Sequence, residues 1–314
     1  MKSFAVLRLM GRAGASCLCG AVLLGSLAQV ASAESVMEIE TILERVARTG
    51  TLTAGTSSEA FPFAFADDRG EIQGYSIDML RQIQDRLSQH LGQQVRLDFI
   101  ALRPEERISS LLANEVDIIC DASSYTWDRE QQIDFSVSYG LTGTRLLGPR
   151  GSTSWNRDVL SSKRIAVVEG TTNEIAVRQA LPQAQVVVVD DHAQGYKMIS
   201  QRRADVFAAD GILLEGWLYS SSRADAFEIF EEFSREGIAC MMPENNSDFA
   251  NQVNYSLVRF MSGYLKQQQP YVDIFDRWFG PEAKVPLTQD VRALVLETMQ
   301  LIIDFKEEIP ESDL

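Results

Sequence analysis

Between residues 52 and 209 the chain switches repeatedly between short apolar runs and amphipathic stretches of helical period, and this alternation is the strongest constraint on its fold. Residues 52–55, 95–100 and 116–120 predict strands. The stretch 76–91, with Ile77, Leu80, Ile83 and Leu87 on one stripe, predicts a helix, as does 104–112. A polar, turn-rich segment, Pro149-Arg-Gly-Ser-Thr-Ser154, follows an extended run at 141–147 and is a candidate lobe boundary. The alternation then restarts, with strands at 164–168, 186–189 and 206–209 and helices at 173–180 and 194–201. Such a sequence predicts an α/β protein of two lobes, each a sheet flanked by helices.

The second unit holds too few residues to wrap a large sheet, so the chain is expected to cross back, with 237–242 as the returning strand. Helices at 249–267, 271–278 and 287–305 would complete the first lobe. The expected organisation is 1–33 as a signal peptide, 34–145 as the first part of lobe 1, 146–236 as lobe 2, and 237–314 as the rest of lobe 1 with a C-terminal helix.

The first residues bear on compartment. Lys2, Arg8 and Arg12 precede an apolar run that ends at Ala31-Ser32-Ala33. A basic start, an apolar core and a small-x-small end describe a secretory signal cleaved near Ala33, giving a periplasmic protein. The alternative is a retained anchor, although glycines and serines interrupt the run. Cys17 and Cys19 lack the lead-in that lipid attachment needs and would be discarded with the signal.

Cys120 and Cys240 would remain. An even count in an exported chain favours one disulfide, against two buried free thiols. Only His90 and His192 occur, so a structural zinc site is excluded and no cofactor is expected. The net charge is −15, and loss of three cations with the signal takes it to about −18. Such a surface repels nucleic acid and anionic lipid.

The residues with most chemistry lie in Val116-Asp-Ile-Ile-Cys-Asp-Ala-Ser-Ser-Tyr-Thr-Trp-Asp-Arg129. It reads as a buried strand ending in hydroxyls, Ser123 and Ser124, and then a helix opened by Thr126 as N-cap. Arg129 on its first turn offers a planar fork to a carboxylate. An ordinary capped helix with a surface arginine would give the same letters. Gly170-Thr-Thr-Asn-Glu174 follows a strand and opens a helix, so Thr171 and Thr172 form either an anion site or a capping box, or both. Asp210 ends an apolar strand and either accepts from an ammonium group in the crevice or caps the next helix. Phe61 and Phe63 could wall a ligand or belong to the core. Arg107 and His192 could meet a polar ligand side chain or sit on the surface.

Taken together, the chain resembles the periplasmic amino-acid-binding proteins of ABC importers, solute-binding protein family 3, in its glutamate/aspartate-binding branch. The resemblance is carried by Phe61-Pro62-Phe63, Gly74-Tyr-Ser-Ile-Asp78, Val116-Asp117, Cys120, Ser124, Thr126-x-x-Arg129 and Phe135-Ser136. It continues through Gly143-Thr-Arg-Leu-Leu147, Gly170-Thr-Thr172, Asp191-His192, Asp210 and Trp278-Phe279. It implies a two-lobed type II binding-protein fold, with the ligand in the cleft between the lobes, and a free L-amino acid as ligand. Arg129 would hold the α-carboxylate, with Ser124 and the Thr171/Thr172 helix start, and Asp210 the α-ammonium. Arg107 and His192 match positions facing the ligand's side chain, and Cys120 and Cys240 match a cysteine pair of that branch.

Two departures stand out. Ser57 occupies the place of an arginine typical of the acidic branch, and Pro104 that of a serine. Specificity is therefore expected to broaden from glutamate and aspartate towards glutamine, asparagine or other polar amino acids. The implied function is a monomeric receptor that delivers its ligand to an inner-membrane ABC permease, with no catalytic residue and no nucleic-acid partner. The alternatives are an enzyme of the cyclohexadienyl dehydratase kind, which shares the architecture, and a receptor that presents ligand to a sensor.

Overall fold

The computed structural model describes residues 40–151, 155–222 and 224–305, so the expected signal peptide lies outside the described residues. The chain enters on the helix Ile42–Thr49, which Thr41 caps through a reciprocal box with Glu44, and lays down β1 (Thr51–Thr56). A small meander follows: β2 (Glu59–Ala60), β3 (Ala64–Ala66) and β4 (Ile72–Gln73). The helix Tyr75–Leu91 buries Ile77, Leu80, Ile83 and Leu87, the predicted stripe, and stops at Gly92 in the left-handed conformation. Then come β5 (Arg96–Ala101), the helix Arg107–Leu112, β6 (Ile118–Ile119), the one-turn helix Trp127–Glu130, β7 (Asp134–Phe135) and β8 (Gly140–Thr142).

The second series is β9 (Thr144–Pro149), β10 (Arg164–Val168), the helix Thr172–Ala180, β11 (Gln185–Val189), the helix His192–Ser200, β12 (Val206–Asp210), the helix Gly211–Ser220 and β13 (Phe227–Glu232). The chain returns through β14 (Glu236–Ile238) and β15 (Met241–Met242). It ends on the helices Ser247–Leu265, Gln269–Phe279 and Gln289–Asp304.

Two five-stranded sheets result, in the orders β5-β1-β6-β15-β7 and β11-β10-β12-β9-β13. In each, four strands share one direction and a single strand, β15 in the first and β9 in the second, runs against them. β10 and β12 are apolar and almost wholly buried, as strands covered by helices on both faces must be. β13 is a charged edge strand with a bulge where Glu231 takes a φ of 50°. The first sheet takes strands from both sides of the second, and β15 sits between β6 and β7.

Both connections between the sheets pass through β8 and β14, paired from Gly140↔Ile238 to Thr142↔Glu236. The crossing into the second sheet falls at Gly143, ahead of the polar stretch at 149–154 read above as a candidate boundary; the described part of that stretch follows β9 within the second sheet's lobe. The reason is steric: a Cβ on Gly143 would lie 2.0 Å from the Ser234 carbonyl oxygen, so only glycine lets the two chains pass. The predicted strand 237–242 is split in two. Between the halves, Ala239 N–H donates to the Ser123 carbonyl and Cys240 N–H to the Ser136 hydroxyl, which diverts the backbone from the ladder.

The first lobe is closed by long-range ties. Buried Asp78 accepts from Arg81, from Arg277 at 3.1 Å and from Trp278 Nε1 at 2.8 Å, joining an early helix to a late one. Cys120 and Cys240 are bonded and fully buried, 120 residues apart in sequence. A loop of that length removes much of the unfolded chain's freedom, a contribution of about 4–5 kcal/mol at most. Intact mass under non-reducing conditions should therefore show no thiol at either cysteine. The double Cys→Ala variant should lose about 2–5 kcal/mol in denaturant unfolding, with reduced wild type behaving like the variant.

Candidate functional site

In both sheets the strand order reverses beside the first parallel strand, β1 in one and β10 in the other, and loops leave the carboxyl ends of neighbouring strands in opposite directions. Such switch points open crevices at those ends. Ser57 follows β1, Pro104 and Arg107 follow β5, Asp121 to Ser124 follow β6, Thr171 to Asn173 follow β10, His192 follows β11 and Asp210 closes β12.

One cavity gathers most of them. Ala60, Pro104, Arg107, Ala122, Ser124 and Arg129 line it from the first lobe, and Thr171, Thr172, Asn173, His192, Asp210 and Leu213 from the second. Thr126 caps the short helix by accepting from Arg129 N–H at 3.3 Å, which directs the arginine into the cleft. Its Nη1 donates to the Ser124 carbonyl at 2.8 Å and its Nη2 to the Gly170 carbonyl of the opposite lobe at 3.1 Å. Burial, and then the nearby Arg107 charge, lower the guanidinium pKa, so an arriving anion relieves a real cost.

Across the cleft, Thr171 caps the Thr172–Ala180 helix, accepting from Glu174 N–H and donating to the Val168 carbonyl. Glu174 reaches back to Gly170 N–H rather than to Thr171, so the reciprocal box does not form. Thr172 Oγ1 lies 3.5 Å from Ser124 Oγ, a contact between lobes. Asn173 is buried, and its Oδ1 has no hydrogen-bond partner among the described residues.

Asp210 stands at the N-cap position of the Gly211–Ser220 helix but makes no side-chain cap bond. Its Oδ1 is buried without a hydrogen-bond partner among the described residues. Burial first, and then the neighbouring Glu236 carboxylate, push its pKa up to about 8. A cation brought beside such a buried carboxyl favours its ionised form. His192 opens its helix behind the Asp191 cap, with its ring edge-on to Phe207. Burial, and then Arg107, push its pKa down to about 4, so it is a neutral ring at pH 7.

Arg107 is fully engaged on one side. Its Nη2 stands 2.7 Å from Asp121 Oδ2, a contact ion pair whose N–H does not point along the contact. Nη1 donates to Ser123 Oγ at 3.3 Å, and Ser123 in turn donates to Asp121 Oδ1. Arg107 Nε is buried without a partner among the described residues. Ser57 accepts from Glu59 N–H and lines an adjoining cavity whose wall of Pro104, Arg107 and His192 is shared with the first.

Three residues singled out in the sequence do not line the cavity. Ser123 is held beneath it by Arg107 and Asp121. Phe63 is in the core against Tyr75 and Phe279. Phe61 packs on Phe65 and against Gly216 of the second lobe, where a Cβ would lie 2.7 Å from its ring. Gly170, at a φ of 71°, meets Glu105 across the cleft in the same way, its ideal Cβ 3.0 Å from Glu105 Cα. Sequence reasoning passed over Asn173 and Asp121. Both lay inside motifs already singled out, and a carboxylate directly after an apolar strand was the available signal for Asp121.

Residues 52–281 match the bacterial extracellular solute-binding proteins, family 3, and the chain belongs to that family. It is 24% identical to the glutamate/aspartate import solute-binding protein of Salmonella typhimurium, over 76% of this chain and 79% of that protein. It is also 24% identical to the L-cystine-binding protein of Escherichia coli, over 77% of this chain and 88% of that one. Among solved structures, an ancestral amino-acid-binding protein described as a precursor of cyclohexadienyl dehydratase aligns with a TM-score of 0.65. The alignment is at 23% identity and covers 76% of this chain and 99% of that one. The fold is that of the two-lobed binding proteins.

The state of Asp210 is testable. An ammonium group that pairs with it needs the carboxylate, yet at pH 7 a carboxyl with a pKa near 8 is mostly protonated. Binding should therefore release most of one proton, and affinity should climb between about pH 6 and 8 and then level off. Calorimetry at pH 7 in buffers of different ionisation enthalpy measures the release, and Asp210→Asn should abolish it.

Proposed function

We propose that the protein is an exported receptor, processed near Ala33, that captures a free L-amino acid of polar or acidic type and delivers it to the permease of an ABC importer. It acts as a monomer and does no chemistry on its ligand. The observation that carries this reading is the pairing of Arg129 and Asp210 across one cavity, a cationic fork from the first lobe and a cation-seeking carboxyl from the second. Arg129 takes the α-carboxylate, with the Ser124 hydroxyl and the N–H groups at the Thr171/Thr172 helix start. Asp210 takes the α-ammonium. Because the two come from different lobes, a bound amino acid ties the lobes together, which is the event a membrane partner can read. Membership of the solute-binding family supports the role, and relatives named for glutamate/aspartate and for cystine leave the side chain to be argued from this cleft.

One observation favours a second reading. A carboxyl with a pKa near 8 is also what a general acid requires, so Asp210 could serve a dehydratase of the cyclohexadienyl kind. The two readings separate in one experiment. A receptor is stabilised by its amino acid by about 2.7 kcal/mol at a hundred times its Kd, and turns over neither prephenate nor arogenate. Turnover without stabilisation by any of the twenty amino acids would replace the receptor reading.

Arg129→Ala should nearly abolish binding of every amino acid tested, since all share the α-carboxylate and the variant leaves that charge enclosed with too few donors. Arg129→Lys should restore only part, because a point charge does not reproduce the fork. Unchanged affinity in the alanine variant, measured by titration calorimetry, would remove Arg129 from the site.

A further inference from the structure

Once Arg129, Asp210, Ser124 and the Thr171/Thr172 helix start are assigned to the amino-acid head group, Arg107, Asn173 and His192 remain as the polar side chains that can meet the ligand's own side chain. His192 is neutral and adds no cation. Arg107 brings a charge, but Asp121, with no exposed surface, stands against it. Asp121 is held at its backbone and at its carboxylate. Its backbone carbonyl accepts from the hydroxyls of Ser76 at 3.1 Å and Tyr139 at 2.7 Å, and Ser123 donates to its carboxylate.

We propose that Asp121 sets the side-chain specificity: by cancelling the charge of Arg107 it makes this end of the cavity neutral, and so selects a carboxamide side chain, glutamine or asparagine, over the corresponding carboxylates. The proposal rests on the amino-acid-receptor reading above. Two buried groups give it direction. Arg107 Nε–H is a donor, and Asn173 Oδ1 an acceptor, that have no partner among the described residues, and their residues are 6% and 2% exposed. A primary amide offers an acceptor for the first and a donor for the second. A carboxylate has no donor for Asn173 and brings a charge into an enclosure whose cation is already matched. An ammonium side chain has nothing for Arg107 Nε and brings a charge into an enclosure whose anion is already matched. An unmade bond to a charged group is worth roughly tenfold to a hundredfold in affinity.

Titration calorimetry on the full mature chain with glutamine, asparagine, glutamate and aspartate tests it. Wild type should prefer glutamine to glutamate by about tenfold or more. Asp121→Asn keeps the shape and a hydrogen-bond acceptor but frees the Arg107 charge. Glutamate should gain about tenfold or more, while glutamine moves by less than about threefold. The double variant Arg107→Gln with Asp121→Asn is neutral again and should return the preference to the amide. It also serves if the single variant, with its unpaired buried cation, does not fold. Wild type that binds glutamate as tightly as glutamine, or a folded Asp121→Asn variant with an unchanged ratio, overturns the proposal and leaves the receptor reading intact. Failure of every amino acid to bind wild type overturns both.

Discussion

Strands β8 and β14 pair over three residues each, and both passages of the chain between the sheets run through them. The cleft depends on this ribbon. It holds the carboxyl ends of two sheets face to face, and it couples directly to the binding groups. Gly211 N–H donates to the Gly143 carbonyl at 2.9 Å, fixing the end of β12 where Asp210 sits. Glu236, on β14, takes the hydroxyls of Ser234 and Thr144 and supplies the second largest influence on the Asp210 carboxyl. A change in the ribbon thus reaches the ammonium site through one hydrogen bond and one charge, with no long chain of intermediates.

Electrostatics in the cleft follow from burial more than from composition. The chain is acidic overall, yet the site takes two arginines, one aspartate set against the first of them, and one aspartate held mostly neutral. Desolvation is the largest influence on Arg129, His192 and Asp210 alike, and in each case it disfavours the charged form. Charge is therefore in short supply where a zwitterion would bind. Each ionic group of a ligand either finds an opposite partner whose buried charge its arrival stabilises, or finds none.

Much of this was legible in the sequence because it is local. The stripe Ile77, Leu80, Ile83 and Leu87 is fixed by helical period, and the cap at Thr126 by its distance to Arg129. The alternation of apolar strands with helices fixed the two-sheet architecture. What was not legible depends on contacts between segments. Whether Asp210 caps a helix or faces a cleft is decided by burial against the ribbon. Arg107 reads as a free cation until the turn after β6 brings Asp121 onto it. His192 reads as half-charged until Phe207 and the lobe interior desolvate it. Around Phe61 and Phe63 a tight turn puts Ala60 on the cavity wall and sends Phe63 to the core, an outcome that residue type alone does not dictate.

The two glycines that meet the first lobe, Gly170 against Glu105 and Gly216 against Phe61, act as a gauge for the gap between the lobes. At both places there is no room for a side chain on the second lobe, so the spacing seen here depends on two residues being glycine. Under the receptor reading, a molecule that fits would be sealed in, whereas one slightly too large would hold the lobes ajar and gain nothing from the far wall. Size would then be judged in all-or-none fashion, by whether the lobes shut. A methyl group added at either glycine would act as a doorstop on every ligand equally.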